Sequence, residues 1–122
     1  MKKLYILLLT VVSSVSFGQT FYAENMGTPS GTTPIASNVF QNAAPILYSG
    51  TADVRATSVS SGYNGASGGG NVFINAVDEF FQIDGLNTAA YNTADLQLSF
   101  GVNTPTNVSN VLTVEVSTDA TN

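Results

Sequence analysis

Asp95–Val102, DLQLSFGV, decides the fold class, because Leu96, Leu98, Phe100 and Val102 alternate with Asp95, Gln97, Ser99 and Gly101. A strict period of two puts one set on each face of an extended chain, so the stretch predicts a half-buried β-strand. The same alternation returns after the Pro105 and asparagine turn region, where Leu112, Val114 and Val116 interleave with Thr113, Glu115 and Ser117. Two such segments joined by turn formers predict an antiparallel pair with both apolar sets on one core.

Working back toward the N-terminus, the runs stay short and β-branched or aromatic. Glu79–Asp84, EFFQID, is too short for a helix and ends in the turn signal Asp84-Gly85. Val72-Phe73-Ile74 and Asp53–Ser60 also read as strands, Val54, Ala56 and Ser58 alternating with Arg55, Thr57 and Val59 in the second. Thr20–Glu24 reads as a first strand. Asn38–Gln41 and Pro45–Ser49 are weaker strand signals, since Pro45 cannot donate to a ladder. Asn25–Ser37, with Gly27, Pro29, Gly31 and Pro34, predicts a loop. Phe73, Phe80, Phe81 and Phe100 sit inside strand patterns and are expected in the core. Short strands punctuated by turns predict an all-β, antiparallel β-sandwich.

The N-terminus has a different character. In MKKLYILLLTVVSSVSFG, Lys2 and Lys3 precede an apolar run from Leu4 to Val12, and small residues Ser16 and Gly18 follow. That order predicts residues 1–18 to be a cleaved secretory signal peptide, with export to the extracellular space or cell surface. The run is shorter than the roughly 20 residues a spanning helix needs, so no membrane span is expected in the mature chain. No cysteine stands near the cleavage point to carry a lipid, and with Cys 0 there is no disulfide framework either.

Residues 19–122 then form a single β-sandwich module, long enough for one core. Loss of Lys2 and Lys3 leaves Arg55 alone against eight carboxylates, a formal charge of one minus eight, −7. One cation cannot displace the counterions of a polyanion, so nucleic acid is excluded as a partner of this domain, and anionic lipid is disfavoured. Catalysis is constrained by the same inventory. With no His, no Cys and no Lys after the leader, serine triads, cysteine nucleophiles, His-ligated zinc and Schiff-base chemistry have no residues to use. Paired carboxylates remain, as in glycoside hydrolysis. Asp78 and Glu79, however, are neighbours on opposite faces of an extended chain, and Asp84 and Asp95 would need the tertiary fold to meet. The chain is therefore expected to be noncatalytic.

Binding residues are easier to nominate. Sugar recognition asks for an aromatic platform with amides beside it. Tyr63 and Asn64 in the glycine-rich stretch Ser61–Asn71 (SGYNGASGGGN), and Tyr91 and Asn92 in the Asn87–Thr93 connector, satisfy that in sequence, and make a polysaccharide or cell-surface glycan the expected partner. The four glycines after Asn64 imply either positive φ or a close approach to something. Outside the cell, loop carboxylates and carbonyls also suit calcium. Glu24 and Asn25 after the first strand, Asp53 before a later one, and Asp78 are the residues that would build a structural calcium site by converging at one end of a sandwich.

A resemblance sharpens these expectations. Residues 80–104 (FFQIDGLNTAAYNTADLQLSFGVNT), residues 110–122 (NVLTVEVSTDATN) and the opening FYAENMGTPSGTTPI, behind a leader ending in FGQ, resemble the N-terminal jelly-roll module of large secreted proteins from gliding bacteria. Such modules are similar to galactose-binding-like and carbohydrate-binding jelly rolls, often hold calcium, and precede nucleases, other hydrolases, repeats and a type IX sorting tail. In that family a strand like LTVEVSTD is followed by a small residue, Thr, Asn and Trp, so the resemblance implies a jelly-roll sandwich incomplete at its C-terminus. It implies an accessory role. A purely structural spacer, or the leading piece of a hydrolase or nuclease, are the alternatives.

Overall fold

In a computed structural model of the chain, the described residues are 20–56, 64–91, 96–104 and 112–118. Five strands occur there: β1 (Thr32–Pro34), β2 (Leu47–Gly50), β3 (Asp53–Arg55), β4 (Asn71–Phe73) and β5 (Phe81–Asp84). A 3-10 turn at Ile35–Ser37 is the one helical element among the described residues. All pairing is antiparallel, in a three-stranded sheet of order β1-β3-β4 and a two-stranded sheet of β2 with β5. The all-β class follows directly from these elements.

The sequence explains the middle of the first sheet. Val54 lies opposite Thr33 on one side and Val72 on the other, and its side chain is fully buried. With Ile35 and Ala52 it makes the buried apolar centre of the described residues. Around it, Arg55 closes a two-point pair with Asp53 (Nε to Oδ1 2.6 Å, an Nη2 bond to Oδ2 at 2.9 Å) and lies 3.6 Å over the Phe73 ring. The one cation after residue 18 thus braces β3 through Asp53 and ties β3 to β4 by its flat face over Phe73.

Of the three passages the chain makes between the sheets, two lie side by side, at Thr51-Ala52 and through residues 74–80. Both passages are stitched together: the Thr51 and Ala52 amides donate to the Phe80 carbonyl at 3.1 and 3.2 Å, and the Phe80 amide donates to Thr51 Oγ1 at 3.2 Å. Gly50 is required beside this stitch, because its φ is +145° and a Cβ there would stand 2.2 Å from the Phe80 carbonyl oxygen.

Several expectations meet their elements. Val72-Phe73, Gln82-Ile83 and Leu47–Ser49 are paired strands, as is the 53–55 portion of Asp53–Ser60; residues 57–60 lie outside the described residues. Other segments differ. Within the expected loop Asn25–Ser37, Thr32–Pro34 pairs with β3, and Pro34 is tolerated because β1 borders the three-stranded sheet. Thr20–Glu24 and Asn38–Gln41 join no sheet. The largest correction concerns the two alternating segments. Residues 96–104 and 112–118 carry no ladder, and their apolar side chains are exposed, from 44% at Leu96 to 87% at Val116. Phe80 and Phe100, expected in the core, are exposed too, while Phe73 and Phe81 are half-buried. Alternation states which face would be buried; the cover has to come from elsewhere.

Candidate functional site

The most connected side chain in the described structure is Glu24. Its backbone belongs to no sheet, so side-chain bonds hold it. Oε1 accepts the amide N–H groups of Met26 (2.8 Å) and Gln41 (2.9 Å). Oε2 accepts the Asn42 amide (3.0 Å), the Asn42 Nδ2 group (2.9 Å) and the Tyr48 hydroxyl (2.7 Å). Burial pushes the Glu24 carboxyl upward, but the donors from Tyr48, Gln41 and Asn42 together outweigh it and hold the group below its ordinary range. Because the Tyr48 proton is given to Glu24, the Tyr22 hydroxyl, 3.3 Å away, is the donor toward the Tyr48 oxygen. Burial and the bonds to Tyr22 and Glu24 drive the Tyr48 phenol well above its usual value, and burial raises Tyr22 also.

Asn42 does double duty, since its Nδ2 group also reaches the Ala23 carbonyl at 2.6 Å. Asn38 Nδ2 donates to the Met26 carbonyl at 3.1 Å. Three separate segments, 22–27, 38–42 and β2, are therefore bound into one corner. The apolar half of that corner is aromatic. Phe40 stacks on Tyr48 with centroids 3.9 Å apart and planes 15° from parallel, and Phe81 flanks both at 6.0 and 6.1 Å.

Beside it runs an open groove of about 370 Å³ between the 3-10 turn and β2. Ile35, Val39, Phe40, Ile46, Leu47 and Tyr48 supply its apolar lining, with Asn38 and Asn42 as the amides. No ionised side chain lines it. Val39 and Leu47 stand largely exposed on its rim.

The residues nominated from sequence are placed as follows. Tyr63 and Asn92 lie outside the described residues. Asn64 is exposed on a turn, and Tyr91 stacks on Phe21 at 4.6 Å while its amide closes a turn onto the Thr88 carbonyl at 2.9 Å. The Tyr91 ring thus meets the N-terminal segment. The glycine-rich stretch has a similar answer. A Cβ at Gly69 would come within 2.1 Å of the Asn25 carbonyl, one at Gly70 within 2.8 Å of Pro29, and the Gly70 amide donates to the Gly27 carbonyl at 2.9 Å. What the glycines approach closely is the chain's own segment 25–29.

Of the four residues expected at calcium, three are engaged separately. Glu24 has all five donors just described, Asn25 Oδ1 accepts the Gly27 amide at 2.9 Å, and Asp53 holds Arg55. Asp78 occupies a left-handed position, φ +67°, in an exposed turn. Among the described residues no group of three or more acidic side chains is placed to share a metal ion. No helix among them is long and apolar enough to cross a membrane.

Sequence reasoning nominated Glu24 as a calcium ligand and did not single out Asn38, Asn42 or Tyr48. The available signal was the spacing of Glu24 from amide-rich NVFQNAAP at residues 38–45, which places donors but does not say what they serve. No family model matches the chain, and no curated protein or solved structure matches it either.

Proposed function

We propose that the chain is a noncatalytic accessory module of a secreted bacterial protein, of jelly-roll type, which offers surface to a glycan at or beyond the cell envelope. The observation that supports this most is how four of the six described carboxylates are used. Glu24 binds five donors of its own chain, Asp53 binds Arg55, Glu79 Oε2 caps the Asn75 and Ala76 amides at 2.6 and 3.1 Å, and Asp84 accepts Gln82 Nε2 at 2.8 Å. Acids spent on holding loops are poor acids and bases for chemistry. Aromatic and aliphatic surface, by contrast, stays open to solvent. The leader sequence supports export, and the acidic charge after it supports a neutral partner rather than a polyanion.

Affinity electrophoresis of the purified chain in gels containing neutral polysaccharides, run beside a reducing-sugar assay on the same substrates, tests the proposal. Retardation with no sugar release is the expected result. Release of reducing ends by the chain alone overturns it.

A further inference from the structure

We infer that the groove between the 3-10 turn Ile35–Ser37 and β2 is the sugar-binding surface, and that it takes a neutral, hydroxyl-rich ring. This rests on the glycan reading above and adds a site and a ligand chemistry to it. Three observations lead there.

The first is charge. The groove has no ionised lining residue, in a chain whose formal charge is −5 even with its leader, so an anion is repelled by the surroundings and a cation finds no partner inside. The occupant is uncharged.

The second is the sense of the hydrogen bonds. Asn42 spends both Nδ2 hydrogens on the protein, on the Ala23 carbonyl and on Glu24, and Asn38 spends one of its two on the Met26 carbonyl. The Tyr48 hydroxyl proton is likewise given to Glu24. What Asn38 and Asn42 both retain is acceptor capacity at Oδ1, where no bond to another described residue is made. A groove that keeps two side-chain acceptors and one donor selects a ligand that brings donors and can also accept. Hydroxyl groups do so without charge.

The third is shape. Phe40 and Tyr48 form a stacked aromatic pair held rigid from behind by Glu24 and Phe81, with Val39 and Leu47 exposed at the rim. An aromatic pair next to hydrogen-bond acceptors matches a pyranose, which has a C–H face and a hydroxyl edge. Preorganisation by the Glu24 network means that little ordering is needed on binding.

The test uses the full mature chain with three neutral polysaccharides, a β-1,3-glucan, a galactan and a mannan, and with alginate as the anionic control. Val39→Arg and Leu47→Glu place charge and bulk on the rim at two exposed positions, and Val77→Arg, on an exposed turn outside the lining, controls for surface charge. Circular dichroism and thermal midpoints verify that all variants fold. Retardation by at least one neutral polysaccharide, lost at least tenfold in both rim variants and kept in Val77→Arg, is the expected result. If the parent is retarded and the rim variants are retarded equally, the groove assignment fails while the glycan reading stands. If the parent is retarded by none of the neutral polymers, or by alginate alone, both fail.

Discussion

Replacing Glu24 should cost more than any other single surface change in this chain, and the structure supplies the magnitude. Five donors converge on one carboxylate, from segments 26, 41–42 and 48. A hydrogen bond to a charged group contributes about 1.5–3 kcal/mol, but the site is half-exposed, so solvent screens the charge and water can rescue some of the backbone amides. Counting only about half of the bonds as irreplaceable, each contributing about 1–1.5 kcal/mol once screened, gives a loss of about 2–4 kcal/mol for Glu24→Ala. For a domain of this size that lowers the thermal midpoint by roughly 10–25 °C. Glu24→Gln is the sharper variant. Whichever way its amide is turned, an NH2 group faces at least two of the donors, so the isostere should be within about 1 kcal/mol of the alanine variant.

The acid limb has a fixed sign. The folded-state carboxyl lies below its ordinary value of 4.5, so its contribution is complete above that pH and is lost as pH falls through the folded value. Glu24→Gln should flatten that limb. Urea unfolding followed by tyrosine fluorescence and far-ultraviolet circular dichroism, from pH 3 to pH 8, measures both effects. A Glu24→Gln protein within about 0.5 kcal/mol of the parent at pH 7, with an unchanged acid limb, would refute the clamp.

Other outcomes follow from particular positions. Gly69→Ala forces a Cβ to 2.1 Å from the Asn25 carbonyl and should cost about 2–3 kcal/mol, whereas Gly65→Ala, with open space and only its φ of +85° to oppose it, should cost about 1; equal losses in urea melts would show that close approach is not what the glycines serve. Asp78→Gly relieves a left-handed aspartate in an exposed turn and should leave stability unchanged or raise it by about 0.5–1 kcal/mol, and a fall of similar size would place an unseen partner on that carboxylate. Chelation with EDTA should leave the thermal midpoint unmoved, because Glu24, Asn25 and Asp53 already serve other groups; a drop of several degrees that calcium restores would reinstate the metal. At the alkaline end, the raised Tyr48 phenol contributes stability that is intact below its ordinary value of 10.0 and is lost as pH rises beyond it, so Tyr48→Phe should blunt alkaline unfolding of the parent.

How far the fold was legible depends on the range of the information each element needs. Asp53–Arg55 and Phe81–Asp84 were readable because β-branched and aromatic residues in short runs carry their own preference for an extended chain. Thr32–Pro34 was not, since proline and glycine announce a loop locally and only the presence of β3 alongside makes the segment an edge strand. Leu96–Val102 failed in the opposite direction. Its alternation is the most regular in the chain, yet its leucines and Phe100 face solvent, because no local pattern guarantees a covering sheet. The corner around Glu24 was hidden for a further reason: four of its five donors come from positions 17 to 24 residues away, a distance over which spacing carries no geometry.

By itself the amino-acid order determined the strand-forming composition, the leader-like start, and the absence of His and Cys with a single cation after residue 18. These are properties of side chains taken one at a time or in short runs, so no fold is needed to know them. Only the tertiary structure decided that Glu24 meets Tyr48, that the glycines of 69–70 press on segment 25–29, and that an uncharged groove lies beside Phe40. Those outcomes depend on which distant groups are brought within bonding distance, and hydrogen bonds and steric contact act only over a few ångströms.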